Sequence, residues 1–203
     1  MLTSITPLGE RGRASRWTVT VTAYVVGSVL GGLLLGLVAG TLGSLLPLER
    51  TAVAGAAAAV VAVAAALALL VEIGRLPQPP TLHRQVDEDW LHRYRGWVYG
   101  FGYGAQLGFG LVTIVTSPVL YVALLLAALT GSPLGGAVVG VVFGLVRALP
   151  VLALRSVHST AQLTAAARRT EELAPVGRRL VTAALAAVAL GAAGVALTTG
   201  GGA

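Results

Sequence analysis

The chain has 203 residues, 56% of them apolar and 11% charged, with no cysteine and a formal net charge of +6. A mean hydropathy of +0.84 excludes an ordinary soluble globular domain and describes an integral membrane protein, while the missing cysteines exclude disulfides, thiolate metal sites and cysteine nucleophiles within this chain. The pI near 10.8 follows from membrane topology and anionic lipid rather than from nucleic acid, because no stacking aromatics interleave a basic stripe.

Residues Met1 to Arg13, MLTSITPLGERGR, are too short to cross a bilayer, and no small-residue cleavage site follows a short apolar core. The first span, Trp17 to Leu46, is therefore expected to act as its own insertion signal. Inside it, LGGLLLGLVAG carries Gly32, Gly36 and Gly40 at i, i+4 and i+8, a bare stripe where a neighbour's backbone can close in. A second span is expected over Thr51 to Ile73. The stretch PQPPTLHRQVDEDWLHRYRGW then opens with prolines that prevent helix. Val86, Trp90, Tyr94 and Trp97 recur at helical spacing, which predicts a short amphipathic helix in the membrane interface, with Trp97, Tyr99 and Tyr103 as an aromatic belt. Arg84 with Glu88 and Asp89 with Arg93 are i,i+4 pairs on that helix. His83 with Asp87 and Glu88 with His92 do not share one face, so no metal site is expected.

The third span, Gly104 to Leu129, contains GFGLVTIVTSPVLY. Pro118 has no N–H for the carbonyl of Ile114 and its ring crowds that group, so the helix is expected to kink or open there. A carbonyl left unpaired in lipid costs several kcal/mol, and Thr113, Thr116 and Ser117 lie within one turn to meet it. Two readings stand side by side: a kink healed by those hydroxyls, or a midplane binding site. The fourth span, Gly135 to Leu154, repeats the ladder in LGGAVVGVVFG, with Gly136, Gly140 and Gly144. Arg147, within this span, either snorkels to headgroup phosphates or contacts an anion or substrate, with Glu72 as a candidate partner. Thr160 to Leu173 is expected as a surface helix ending before Pro175, with His158 exposed before it. The fifth span is Leu180 to Thr198.

All fourteen basic residues are arginine. Arg11, Arg13 and Arg16, then Arg75, Arg84, Arg93 and Arg95, then Arg155, Arg168, Arg169, Arg178 and Arg179 share one side of the membrane, against Arg50 on the other. The arginine-rich side is normally cytoplasmic. This predicts a multi-pass protein of a bacterial-type inner membrane, N-terminus inside and C-terminus outside, with anionic lipid at the arginine-rich inner loops. On that topology the two glycine ladders run in opposite directions, the pattern of an inverted repeat, common among secondary transporters with sites on discontinuous helices. One transmembrane domain, 1–203, would then comprise a first half of two spans, 17–73, and a second half of three, 97–199. The counterpart of the third span would precede Trp17; either a helix lies upstream of this chain or the first element is reduced to a lip.

The stretch GFGLVTIVTSPVLYVALLLAALTG followed by GAVVGVVFGLVRALPVLAL resembles the second half of the CcdA family of cytochrome c biogenesis proteins, related to the membrane domain of the thiol-disulfide interchange protein DsbD. In that family a helix with a small residue, Pro and Cys at its break precedes a Gly-rich helix ending in Leu-Pro. Ser117 and Pro118 match the first two positions of the break, and Leu149 and Pro150 the later pair. ASRWTVTVTAYVVGSVLGGLLLGLVAGTLGSLL is similar to the second helix of the family's first half. Val119 stands where the family's cysteine would be, the Gly144 to Pro150 spacing is wider, and the first helix with the other cysteine is absent. The resemblance implies the family's scaffold without its movement of reducing equivalents through a cysteine pair.

The expected fold is thus an all-α polytopic integral membrane helix bundle of about five transmembrane helices, the remnant of a 3+3 inverted repeat. The leading functional expectation is transport of a small solute or ion, with Thr113, Thr116, Ser117 and Pro118 as the substrate site and Gln106 and Arg147 as further candidates. The alternative is a non-thiol scaffold subunit of a redox or cytochrome c/cofactor-assembly system, working with a Cys- or haem-bearing membrane partner. A third reading is a non-catalytic structural membrane protein. No cofactor and no nucleic-acid partner is expected. A Ser/His/Asp arrangement, a phosphate-binding glycine loop and a zinc-peptidase motif are all missing, which argues against a hydrolase or kinase, and this chain alone cannot carry out thiol-disulfide catalysis.

Overall fold

A computed structural model describes residues 5–12, 15–47, 51–77, 94–110 and 118–200. Among them the chain is all-helical: α1 (Pro7–Gly12), α2 (Trp17–Gly43), α3 (Thr51–Glu72), α4 (Gly96–Phe109), α5 (Val119–Leu129), α6 (Pro133–Ala148) continued by a 3-10 turn (Leu149–Leu154), and α7 (Thr160–Gly200). Helix is the form that lets an apolar segment satisfy its own backbone in lipid. Among the described residues four helices are long and apolar enough to cross a membrane, and α5 is a shorter apolar helix. The first, second and fourth spans fall where composition puts them. The third differs: in place of one kinked helix, α4 begins at Gly96 and stops at Phe109, and α5 starts at Val119.

The chain divides into two compact units, the first taking Met1–Leu34, Leu82–Ile114 and Gly140–Ala174, the second Leu35–Thr81, Val115–Val139 and Pro175–Ala203. In the first, α4 runs parallel to α2. Gly100 sits on the backbone of Thr20, Gly104 on Tyr24 and Gly108 on Ser28, so closely that a methyl at Gly104 would fall on the Tyr24 carbonyl. On another face of α2, α6 packs antiparallel, Gly140 against Gly32 and Gly144 against Ser28, and the Ser28 hydroxyl donates to the Gly144 carbonyl at 2.7 Å. The two predicted ladders therefore lie on each other. Ile5, Val21, Tyr24, Tyr99, Tyr103, Ala148 and Val151 form the core of this unit. α1 is tied in by Leu8 N–H donating to the Val157 carbonyl at 3.1 Å and by the Trp17 indole N–H donating to Ile5 at 3.4 Å.

The inward Tyr99 and Tyr103 correct the expected belt. They are 1% and 4% exposed, against 55% for Trp97, because the glycine edge of α4 meets α2 and carries both tyrosines inward beside it. Of the amphipathic helix expected before them, Val86 and Trp90, the ion pairs and the histidines lie outside the described residues, and Trp97 falls in α4.

In the second unit the ladder contact continues, Gly136 against Gly36 and Gly40. Ala65 and Ala68 of α3, Val122 of α5 and Leu185 of α7 make its core. The turn from α5 to α6 closes on Gly131 at φ 59°, a left-handed position that suits glycine, and Ser132 Oγ accepts the Gly135 N–H at 3.2 Å. The surface helix expected to end before Pro175 does not end there. α7 runs unbroken from Thr160 to Gly200 with Pro175 inside it. Every residue from 171 to 180 is exposed, so the carbonyl that Pro175 cannot serve is open to solvent or headgroups and the alanine-rich flanks carry the helix through. Val19, Val26, Leu30, Leu34, Val38 and Leu42 form the outward face of α2, an apolar stripe fitted to lipid rather than water.

Candidate functional site

The residues predicted to form a site fall in three groups. Thr113, Thr116 and Ser117, with Ile114, lie outside the described residues. Their two flanks are defined. α4 ends on Gly110, at φ 69°, whose N–H donates to the Gln106 carbonyl at 3.1 Å. Glycine accepts this left-handed stop without the strain a Cβ would bring. α5 starts after Pro118, at φ −67° and ψ −5°, and Pro118 is buried. The expectation put this proline inside a helix. It instead opens one, where the missing N–H removes no intrahelical bond, and its carbonyl accepts the Tyr121 N–H at 3.1 Å.

Gln106 and Arg147 both belong to the first unit, Pro118 to the second. Gln106 is half-buried; its carbonyl caps α4, and no described hydrogen bond joins its side chain to Arg147. The Arg147 guanidinium lies over the Phe143 ring, 5.4 Å from its centroid, a cation–π contact that lets a half-buried cation sit in an apolar helix. Glu72, its suggested partner, belongs to the second unit.

A polar cluster in the first unit has no counterpart in the sequence reading. Glu10, on α1, is 1% exposed. One of its carboxylate oxygens accepts the Thr20 hydroxyl at 2.9 Å, the other the Tyr99 hydroxyl, and Thr20 is fully buried. A buried carboxylate is costly unless hydrogen-bonded, and these donors from α2 and α4 offset that cost while fixing α1 against both. Tyr99 packs on Tyr103, with ring centroids 6.1 Å apart. Chemically the cluster is a buried carboxylate that accepts hydrogen bonds from the Thr20 and Tyr99 hydroxyls. The signal for it was a lone acid in an arginine-rich segment, but its burial depends on where α1 docks. The α4 ladder, Gly96, Gly100, Gly104 and Gly108, was legible in GWVYGFGYGAQLGFG. Cutting the span at Gly104 hid it.

The family described as cytochrome c biogenesis protein transmembrane region matches residues 3–197. The chain is 31% identical over 145 residues to the methylamine utilization protein MauF of Methylophilus methylotrophus, covering 69% of this chain and 49% of that protein. Against MauF of Paracoccus versutus it is 29% identical over 157 residues, 71% of this chain and 53% of the relative, and against MauF of Paracoccus denitrificans 38% identical over 77 residues, 38% and 27%. The chain thus spans about half the length of the first two curated relatives. No solved structure matches it. The resemblance carried by the glycine ladders, the Ser117-Pro118 pair and Leu149-Pro150 is met across nearly the whole sequence: this chain belongs to the cytochrome c biogenesis transmembrane family.

Proposed function

We propose that the chain is a non-thiol membrane subunit of a redox or cofactor-assembly system, in which a partner supplies the thiols or haem and this chain supplies a helical scaffold and docking loops in the inner membrane. The observation that carries the reading is the family's transmembrane region, matched over residues 3–197, in a sequence with no cysteine. Val119 begins α5 at the position where the family resemblance puts a cysteine, so the thiol chemistry has to come from elsewhere. The names of the relatives support methylamine utilization as the setting. Purification of the tagged full chain in mild detergent is the test. A stoichiometric partner bearing a CxxC pair or haem, detected by thiol labelling or Soret absorbance, is the expected result; a chain isolated alone that binds a small solute saturably would overturn it.

The second reading is transport of a small solute or ion, with the stop at Gly110 and the restart at Pro118 as supporting observation. Discontinuous helices hold transporter sites, and the substrate-site candidates of this reading are Thr113, Thr116, Ser117 and Pro118, with Gln106 and Arg147 as further candidates. Flux in proteoliposomes that is unaffected by Pro118→Ala and Thr116→Val would remove it.

A further inference from the structure

The first unit holds a cleft that none of these readings uses. It has a volume of about 610 Å³ and lies between the 3-10 turn after α6 and the first turns of α7. Its polar lining is Arg155, Ser156, Gln162, Arg169 and Thr170, and Leu152 and Leu173 are the large aliphatic side chains at its edge. Neither guanidinium has a carboxylate partner among the described residues. The Gln162 amide oxygen accepts the His158 backbone N–H at 2.7 Å, which leaves the side-chain NH2 as a donor. The wall behind them is fixed, since Val157 is 2% exposed and its carbonyl accepts the Leu8 N–H.

The polar lining is therefore rich in donors: two guanidinium groups, an amide NH2 and the Ser156 hydroxyl, while the Thr170 hydroxyl donates to the Ala166 carbonyl at 2.9 Å. Such a set fits an anion with several acceptor oxygens, and guanidinium pairs suit phosphate in particular. The apolar lining has a different demand. Leu152 is 41% and Leu173 54% exposed, and a ligand that carries apolar surface beside its charge would cover both. The volume lies in the range of small-ligand sites.

We propose that this cleft binds the phosphodiester headgroup of an anionic phospholipid, with Arg155 and Arg169 on the phosphate and Leu152 and Leu173 against the glycerol-proximal acyl chain. Binding of this kind is more selective than general attraction of inner-loop arginines to a negative leaflet, because it depends on two arginines and not on total charge. It is independent of whether the chain assembles with a redox partner or transports a solute.

The test uses the full chain, reconstituted with phosphatidylcholine alone or mixed with phosphatidylglycerol, then extracted into mild detergent for native mass spectrometry. The wild type should retain phosphatidylglycerol over phosphatidylcholine, and R155Q/R169Q should lose that retention about ten-fold or more, as the loss of two charge-assisted contacts implies. R178Q/R179Q removes the same charge from exposed positions of α7 outside the cleft and should retain the lipid. Circular dichroism of both variants checks that helix content is unchanged. Equal retention of the two lipids by the wild type, or equal loss in the two double variants, would overturn the proposal. Displacement of the adduct by inorganic phosphate, with binding of phosphate at equal strength in lipid-free protein, would assign the cleft to free phosphate and overturn the lipid assignment.

Discussion

The Glu10 carboxylate is the residue on which most of the polar burden of the first unit falls. Glu10→Gln keeps the shape but replaces one acceptor oxygen by an NH2 group facing a hydroxyl, and a hydrogen bond to a charged group is lost; the expected destabilisation is about 1–3 kcal/mol. Tyr99→Phe should cost a similar amount, and the double variant less than the sum, because both changes remove the same bond. Thermal unfolding in detergent measures all three. Glycines divide by what surrounds them. Gly104→Ala would press a methyl onto the Tyr24 backbone and should destabilise by about 1–3 kcal/mol, whereas Gly177, with no atom within 4 Å of an added Cβ, should tolerate Ala and gain about 0.5–1 kcal/mol from helix propensity. The same unfolding experiment distinguishes them. The i+4 spacing in GWVYGFGYGAQLGFG marks Gly104 as a packing glycine where Gly177 stands alone, but which backbone Gly104 meets is not in the letters until a partner helix is placed beside it.

At the scale of elements, hydropathy located the spans because lipid sets their length, and the i+4 glycines of LGGLLLGLVAG and LGGAVVGVVFG announced a close contact. The sequence did not say that these two stripes meet each other, which requires knowing which helices are neighbours. The third span was legible as interrupted, but the place of the stop was not. Pro118 drew attention as the breaker, while the left-handed Gly110 that ends α4 resembles the glycines that merely pack. Pro175 misled in the opposite direction. A proline normally ends a helix when the freed carbonyl has no substitute partner, and on an exposed helix solvent or headgroups supply one. Pro175→Ala should restore the bond to the Glu171 carbonyl and stabilise α7 locally, by up to about 3 kcal/mol. Hydrogen exchange over residues 168–182 would report it as slower amide exchange. The candidate site was the least legible part, because Thr113, Thr116 and Ser117 lie outside the described residues and the burial of Glu10 depends on the docking of α1 onto residues far along the chain.

For the whole molecule, the arginine distribution predicts that the turn after α2 and the turn before α7 face opposite sides. A cysteine-free chain is suited to the experiment. L45C, at a position 77% exposed, should react with a membrane-impermeant maleimide in intact cells, and H158C, also exposed, only after the inner face is opened. The reverse pattern would invert the topology and move the lipid-binding cleft to the outer leaflet. α2 is the helix that both glycine interfaces share, and that has a consequence in time. Ser28 and the carbonyl it serves are 116 residues apart, so at a synthesis rate of about 5–20 residues per second the first span waits on the order of 10 s for its second neighbour. During that wait its bare edges face lipid or an insertase, and a chain truncated before Pro133 should be cleared by membrane quality control while the full chain persists.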